Sequence, residues 1–190
     1  MTSLQLTFNF KKHIWSAPLD YRDLSEAKEI AIDLETKDTG INEGLGSGWA
    51  TNNGYVTGIA VATANWEGYY PIAHNGGNLD KTKVLDWFKT VAKLDCPKIF
   101  HNASYDIGWL KSLGITVNGK VHDTMISSAL LDENRYSYTL NSLAKDKLGR
   151  TKNEDLLIAA AKEFGVDPKK EMYKLPSMHV GEYAEYDARL

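Results

Sequence analysis

Residues 31–36 read AIDLET, a short apolar run that carries two carboxylates two positions apart. If this run is a β-strand, its side chains alternate between faces, so Asp33 and Glu35 point to one side and Ile32 and Leu34 to the other. Oxygen ligands on one rigid edge suit a hard divalent cation. Because an Asp-x-Glu triplet also occurs by chance, its meaning depends on further carboxylates elsewhere in the chain.

Length and composition favour one compact domain over residues 1–190. The chain is 43% hydrophobic, which is enough for a substantial core, and its net charge of -3 does not indicate a polyanion partner. Cys96 is the single cysteine, which excludes an internal disulfide and a cysteine-rich metal cluster. The sequence shows neither a membrane-spanning run nor the apolar core of a signal peptide, so we expect a cytoplasmic protein with no membrane partner.

The periodicity of apolar residues predicts strands and helices along the whole chain. The predicted strands are 4–10, 29–33, 55–64, 66–73, 97–101 and 121–123. The predicted helices are 19–28, 78–94 with Asn78 as cap, 104–113, 124–131, 138–148, 154–164 and 179–190. Residues 1–25 are expected to be an N-terminal extension or an edge strand, and residues 38–54 a long loop. This order predicts a mixed α/β domain with helices packed on a sheet.

Three further segments carry acidic side chains next to predicted helices. Asp106 lies in the first turn of a helix, where a negative charge contributes roughly 0.3 to 1 kcal/mol, and Asn102 could cap that helix. Tyr183 and Asp187 are four residues apart and therefore share a helix face, where a phenol could orient a water beside a metal-bound carboxylate. Each also has a plain structural explanation. Asp123, where a strand meets a helix, is expected to be a cap or a buried hydrogen-bonding group.

The order of these motifs resembles that of the DEDD superfamily of exonucleases. The three motifs are Asp-x-Glu on a strand, Asn-x-x-Tyr-Asp, and Tyr-x-x-x-Asp on a late helix, and the tyrosine of the last is typical of the DEDDy branch. The stretches 138–149 and 174–187 are similar to proofreading domains of family A DNA polymerases, including phage members. The resemblance covers about residues 25–190.

This resemblance implies a ribonuclease H-like fold, with a mixed sheet of about five strands flanked by helices. It also implies four metal-binding carboxylates that hold two Mg²⁺ ions, for which Mn²⁺ would substitute: Asp33, Glu35, Asp106 and Asp187. Tyr183 would position the attacking water. Four further residues would lie near the bound 3′ end of the substrate: Leu34, Thr36, Asn102 and Tyr105.

The implied activity is 3′–5′ exonucleolytic hydrolysis of single-stranded DNA ends by a two-metal mechanism, which releases nucleoside 5′-monophosphates. The implied role is proofreading for a family A polymerase in the same or a separate chain, in the host cytoplasm if a phage encodes the protein. The last helix is shorter than in the family, so the chain could be the N-terminal part of a longer polymerase, a split product or a stand-alone protein.

Two alternatives stay open at this point: a ribonuclease D-like 3′–5′ exoribonuclease, and a catalytically inactive exonuclease fold that serves as a binding module. Aromatic side chains stack on single-stranded bases without sequence preference. The candidates are Tyr105, Trp109, Tyr136 and Tyr138, of which Trp109 is expected to fill the core.

Overall fold

Five strands form one mixed sheet in the computed structural model, which describes residues 15–152 and 154–190. The strands are Ile30–Lys37 (β1), Tyr55–Thr63 (β2), Trp66–Pro71 (β3), Lys98–Phe100 (β4) and Val121–Asp123 (β5). Their order is β3-β2-β1-β4-β5; β2 runs antiparallel to β1 and β3, and β4 runs parallel to β1 and β5. The predicted mixed five-stranded sheet is confirmed, and β1 is its central strand.

Eight helices accompany these strands in the described residues. They are Thr39–Asn42 (α1), Gly48–Thr51 (α2), Lys81–Lys93 (α3), Ala103–Ser112 (α4), Thr124–Leu131 (α5), Leu140–Leu148 (α6), Asp155–Phe164 (α7) and Gly181–Arg189 (α8). Gly149 and Gly165 end α6 and α7 with positive φ, a conformation that glycine adopts without strain. Two short 3₁₀ turns, Met172–Lys174 and Ser177–His179, lead into α8.

One face of the sheet packs against α3 and α4. Ile30, Ile32 and Leu34 alternate along β1 and are buried in a core cluster that also contains Phe88 of α3 and Leu110 of α4. Burying each such side chain contributes roughly 1.5–3 kcal/mol. Because side chains alternate on a strand, Asp33 and Glu35 must point to the opposite face of the sheet.

That opposite face packs against α8 through small residues. Ala60 and Ala62 of β2 are buried with Tyr69 of β3 against Ala184 and Ala188 of α8. The short alanine side chains let the helix lie close to the sheet. The late helix is thereby held over the face of the sheet to which Asp33 and Glu35 point.

Gly58 continues this row of small residues beside the acidic part of β1. It pairs with Glu35, and the register between the two strands shifts by one residue just beyond this pair. A Cβ atom at Gly58 would lie 2.0 Å from the hydroxyl oxygen of Tyr69. Only glycine therefore allows the Tyr69 ring to pass beneath the strand at this point.

Some predicted elements differ from those observed. Residues 19–28 form an irregular segment with bends and one turn rather than a helix, and the Asp23 side chain accepts the Ser25 N–H, which competes with helical hydrogen bonding. The cap of α3 is Asp80, because its side chain accepts the Lys83 N–H, whereas Asn78 binds the backbone of His74.

The other differences concern the N-terminus and the long loop. The strand expected at 4–10 lies outside the described residues, and 15–25 form no edge strand. The loop at 38–54 contains α1 and α2, each a single helical turn. Within the described part of the chain, no helix reaches the length and apolarity that crossing a lipid bilayer requires.

Candidate active site

Asp33 and Glu35 lie side by side on the face of β1 that is turned toward α8. The burial pattern of the strand alternates, with Ile32 and Leu34 buried and the two acids partly accessible. The strand predicted from residues 29–33 extends to Lys37, so both acids lie within regular β-structure. The predicted same-side placement of the two carboxylates is confirmed.

Asp106 reaches the same strand from the side of β4. The strand β4 pairs with β1 only at Ile30 and Ala31, and the chain then turns away into α4. The Asp106 carboxylate replaces the missing strand neighbour, since its Oδ1 accepts the Leu34 N–H at 3.1 Å. This bond places a buried carboxylate, 3% exposed, at the backbone position between Asp33 and Glu35.

The helix α8 brings Tyr183 and Asp187 to the site from the other side of the sheet. Both residues lie within Gly181–Arg189, and Asp187 is buried, 7% exposed. The Lys152 ammonium forms an ion pair with Asp187 Oδ2 and donates to the Tyr183 hydroxyl at 3.2 Å. The other carboxylate oxygen, Asp187 Oδ1, is buried and accepts no hydrogen bond of normal geometry from the described residues.

Electrostatic coupling joins these acids into one group, which we call the carboxylate site: Asp33, Glu35, Asp106 and Asp187. Burial raises the pKa of all four carboxyls. The charge of Asp187 further raises the pKa of Asp33, and the charges of Asp33, Asp187 and Asp106 raise the pKa of Glu35. Neighbouring negative charges disfavour ionisation in this way only when they lie close together.

The carboxylate site has the donor chemistry of a site for hard divalent cations. All four side chains offer oxygen, the ligand that Mg²⁺ prefers, and their combined negative charge is not balanced by the single ammonium of Lys152. Among the described residues, however, no three acids, histidines or cysteines stand in a closed metal-holding arrangement. The residues fit such an ion in chemistry, and their carboxylates would have to turn toward it.

Tyr183 remains protonated in this environment. Burial, and then the charges of Glu35 and Asp187, hold the pKa of its hydroxyl far above the usual value of 10. The hydroxyl can therefore donate and accept hydrogen bonds but is not a base at neutral pH.

Thr36 and Tyr105 are joined at the end of β1. The Thr36 hydroxyl lies 2.7 Å from the Tyr105 hydroxyl, which donates to Asp38 Oδ2 at 3.0 Å. Asp38 also accepts the Gly48 N–H at 2.9 Å and caps α1. The ring of Tyr105 is thus fixed beside the acidic strand, and its contact with a substrate stays a prediction.

Asn102 and Leu34 differ in how they approach the carboxylate site. Asn102 begins α4 with φ of 69°, and its side chain makes no capping bond to the helix. The N–H groups of Asn102 and Ala103 instead bind Asp123, which also caps α5 by accepting from Met125. The structural role predicted for Asp123 is confirmed. The Leu34 side chain is buried in the core on the face away from Asp33, so only its backbone lies at the carboxylate site.

The aromatic residues predicted as candidates for base stacking differ in their surroundings. Trp109 is 3% exposed and belongs to the core, as expected, whereas Tyr136 is fully exposed. The Tyr138 hydroxyl donates to the backbone of Asp132 at 2.7 Å.

Two residues that contact the site, Lys152 and Asp38, were not predicted from the sequence. Lys152 lies in the irregular segment between α6 and α7, where no periodicity points to a neighbour. Asp38 follows β1 directly, and its spacing of three residues from Glu35 could have linked it to the acidic strand. Both act through contacts that are distant in sequence, with Tyr105 and with Asp187.

Known proteins share both the sequence pattern and the fold. A family model described as 3′–5′ exonuclease, from A-type DNA polymerases, matches residues 21–190. A DNA-directed DNA polymerase of Pseudomonas phage M6 is 38% identical over 188 residues, which cover 93% of this chain and 28% of that protein. The chain spans between 18% and 28% of the length of the curated relatives that it matches.

Solved structures show the same fold at low sequence identity. Brucella melitensis NrnC with bound Mg²⁺ has a TM-score of 0.54 and 18% identity, over 90% of this chain and 71% of that one. The catalytic core of RRP6 from Trypanosoma brucei has a TM-score of 0.53 and 21% identity, over 86% of this chain and 38% of that one. The sheet is thus that of the ribonuclease H-like exonucleases. With the family model matching nearly the whole chain, this protein belongs to the 3′–5′ exonuclease family of A-type DNA polymerases.

Proposed function

We propose that the chain is a metal-dependent 3′–5′ exonuclease of the DEDDy type that acts on the 3′ ends of single-stranded DNA. One observation carries the proposal: Asp33 and Glu35 lie on the face of β1 that is covered by α8, the helix of Asp187, and Asp106 of α4 accepts the Leu34 N–H between them. Structural acids are usually paired with cations one by one. Four acids with one lysine among them are an arrangement that an added divalent cation would stabilise.

The four members of the carboxylate site would hold two Mg²⁺ ions, or Mn²⁺ in their place. When bound, such ions lower the pKa of a water and stabilise the charge that develops on the phosphoryl and leaving oxygens. The protein supplies the frame: β1 fixes Asp33 and Glu35, the Leu34 N–H fixes Asp106, and α8 carries Asp187.

Tyr183 would orient the attacking water by a hydrogen bond rather than remove its proton. The raised pKa of its hydroxyl keeps the proton on the phenol at neutral pH. Thr36, Tyr105 and Asn102, together with the Leu34 backbone, would contact the terminal nucleotide of the 3′ end. The hydrogen bonds of Tyr105 to Thr36 and Asp38 hold its ring in one place for this role.

DNA is favoured as substrate because the phage relative that is 38% identical is a DNA polymerase. A proofreading exonuclease removes mispaired 3′ ends, so the natural partner would be a polymerase domain in the same or another chain. If a phage encodes the protein, it would act in the host cytoplasm.

The test is a 3′-end degradation assay with labelled single-stranded DNA, duplex DNA and single-stranded RNA. Mg²⁺, Mn²⁺ and a chelator are compared for each substrate. We expect stepwise release of nucleoside 5′-monophosphates from DNA 3′ ends, and loss of this release in the chelator. Preferred degradation of RNA would instead support an exoribonuclease, and no degradation of any substrate would support an inactive binding module.

Variants assign the roles within the site. Asp33→Ala and Asp187→Ala should abolish activity, whereas Tyr183→Phe should reduce it about 100-fold, because one orienting hydroxyl is lost. Glu182→Gln is the matched control, because this exposed acid precedes Tyr183 on the same helix. Equal rates for the wild type and Asp187→Ala, or cleavage from 5′ ends, would contradict the proposal.

A further inference from the structure

Lys152 contacts both functional residues of α8. Its ammonium pairs with Asp187 Oδ2, donates to the Tyr183 hydroxyl at 3.2 Å, and lies 5.1 Å from the centre of the Tyr183 ring. The side chain is 15% exposed, although the residue lies in an irregular segment of the chain between α6 and α7. An ammonium from an irregular segment therefore occupies the α8 side of the carboxylate site.

The influence of this ammonium extends to both acids of β1. The charge of Lys152 lowers the pKa of Asp33 and of Glu35, against the larger effect of burial, as it does for Asp187. One positive charge thus contacts one of the four carboxylates, that of Asp187, and acts at longer range on the two acids of β1. Its position is that of a counter-ion shared by the carboxylate site.

We propose that Lys152 is a displaceable counter-ion, whose ammonium holds Asp187 and Tyr183 in the metal-free protein and must leave Asp187 before that carboxylate binds a divalent cation. The inference rests on the proposed metal-dependent function and adds a positioning residue to it. In the wild-type protein, Lys152 would thus compete with divalent cations for the Asp187 carboxylate.

The geometry of Asp187 explains why the lysine must move. Asp187 Oδ2 is committed to Lys152, and the described residues are not arranged as a closed metal cage. The other oxygen, Asp187 Oδ1, has no hydrogen-bond partner among the described residues, but a divalent cation bound there would lie beside the ammonium, and the two positive charges repel each other. Because lysine has a flexible four-carbon stem and a strongly hydrated head, Lys152 can leave the site for solvent at moderate cost.

Displacement would also free Tyr183. In the metal-free protein the oxygen of the Tyr183 hydroxyl accepts a hydrogen bond from Lys152. After the ammonium leaves, this oxygen becomes available to accept a hydrogen bond from a water. Metal binding and the positioning of Tyr183 are then linked through one side chain.

Isothermal titration with MgCl₂ and with MnCl₂, without nucleic acid, tests the inference. The proteins compared are wild type, Lys152→Met, Lys152→Gln and Lys152→Arg. The neutral variants should bind the metal about tenfold more tightly, equal to about 1.4 kcal/mol, because no charge-assisted bond has to be broken. Lys152→Arg keeps the charge and should remain within about threefold of the wild type.

Thermal unfolding of the same proteins is the second readout. In chelator, the neutral variants should melt below the wild type, because the carboxylates lose their counter-ion; with saturating Mg²⁺ their rise in melting temperature should exceed that of the wild type. Lys145→Met is the matched control, since it removes an exposed lysine of α6, and it should leave metal affinity unchanged.

The possible failures can be told apart. If the wild type binds neither Mg²⁺ nor Mn²⁺, the proposed function itself is overturned. If the wild type binds metal and both neutral variants bind it equally or more weakly, the function stands and the displaceable counter-ion is overturned. Two neutral replacements of different polarity ensure that a folding defect of one does not decide the outcome.

Discussion

Replacing Asp106 by asparagine is expected to stabilise the metal-free protein while abolishing its nuclease activity. Burial and the charge of Asp33 raise the pKa of Asp106 to about 8, and the Leu34 N–H opposes this rise only in part. The ionised carboxylate is therefore unfavourable in the folded state. Asparagine removes the charge but retains an oxygen at the position of Oδ1, so it can still accept the Leu34 N–H.

The size of the effect follows from the raised pKa. The carboxyl titrates near 3.8 when unperturbed and near 8 in the fold, and each pKa unit corresponds to about 1.4 kcal/mol. Ionised Asp106 thus costs at most about 6 kcal/mol near pH 8. Because a buried amide also loses solvation, asparagine recovers only part of this cost, and we expect a gain of about 2 kcal/mol.

The sign of the pH dependence is fixed by the same shift. A carboxyl whose pKa is raised on folding does not oppose folding below its unfolded pKa, and stability is lost as the pH rises toward the folded value. The gap between Asp106→Asn and wild type should therefore be small below about pH 4, grow as the pH rises, and level off above about pH 8.

Urea unfolding in chelator, at several pH values, measures this difference in the free energy of unfolding. Asp86→Asn on α3 is the control, because Asp86 is exposed and paired with Lys89. With Mg²⁺ the order should reverse, since the variant has lost a ligand. An Asp106→Asn protein that is less stable than wild type in chelator near pH 8, or equally shifted at all pH values, would refute the reasoning.

Three further predictions concern the frame of the site. Asp123→Ala should lower the free energy of unfolding by about 2–3 kcal/mol, since one side chain caps both α4 and α5. Asp123→Asn should lower the free energy of unfolding by less, and urea unfolding of the two variants measures the difference. Gly58→Ala should cost about 2 kcal/mol by the same measurement, because its Cβ would displace the Tyr69 hydroxyl, and an unchanged stability would contradict this packing. Mg²⁺ at 100 times its dissociation constant should add about 2.7 kcal/mol and raise the melting temperature by about 5–10 °C, whereas the Asp187→Ala variant should show no such rise.

Local periodicity accounts for the features that the sequence predicts. The alternation on β1 places Asp33 and Glu35 together, and the four-residue spacing places Tyr183 and Asp187 on one side of α8. Each pair is fixed by the geometry of a single element, which any long enough strand or helix imposes. These two pairs of site residues can therefore be predicted before the fold is known. Their order along the chain is what resembles the exonuclease motifs.

Features that depend on how elements meet are not readable in this way. Asp106 reaches the Leu34 N–H because β4 pairs with only two residues of β1, and no pattern in residues 98–106 predicts where that pairing ends. Lys152 has no periodic neighbours, and its partner Asp187 is 35 residues away. The helix expected at 19–28 failed for the opposite reason, because its spacing was suitable but the Asp23 side chain supports a turn instead.

The position of the carboxylate site in the sheet has a consequence for stability. The central strand β1 carries two of the acids, and the other two arrive on helices that pack on opposite faces of the sheet, α4 and α8. Without metal, burial and mutual repulsion make ionisation of these acids unfavourable in the folded state, as their raised pKa values indicate, and this lowers the stability of the fold at higher pH. An ion bound by all three elements would reverse this effect, because its binding free energy would add directly to the stability of the folded state. The same acids that weaken the metal-free fold would then become its strongest cross-link, and metal binding should protect the amides of β1 and α8 against hydrogen exchange more than those of the outer strand β3.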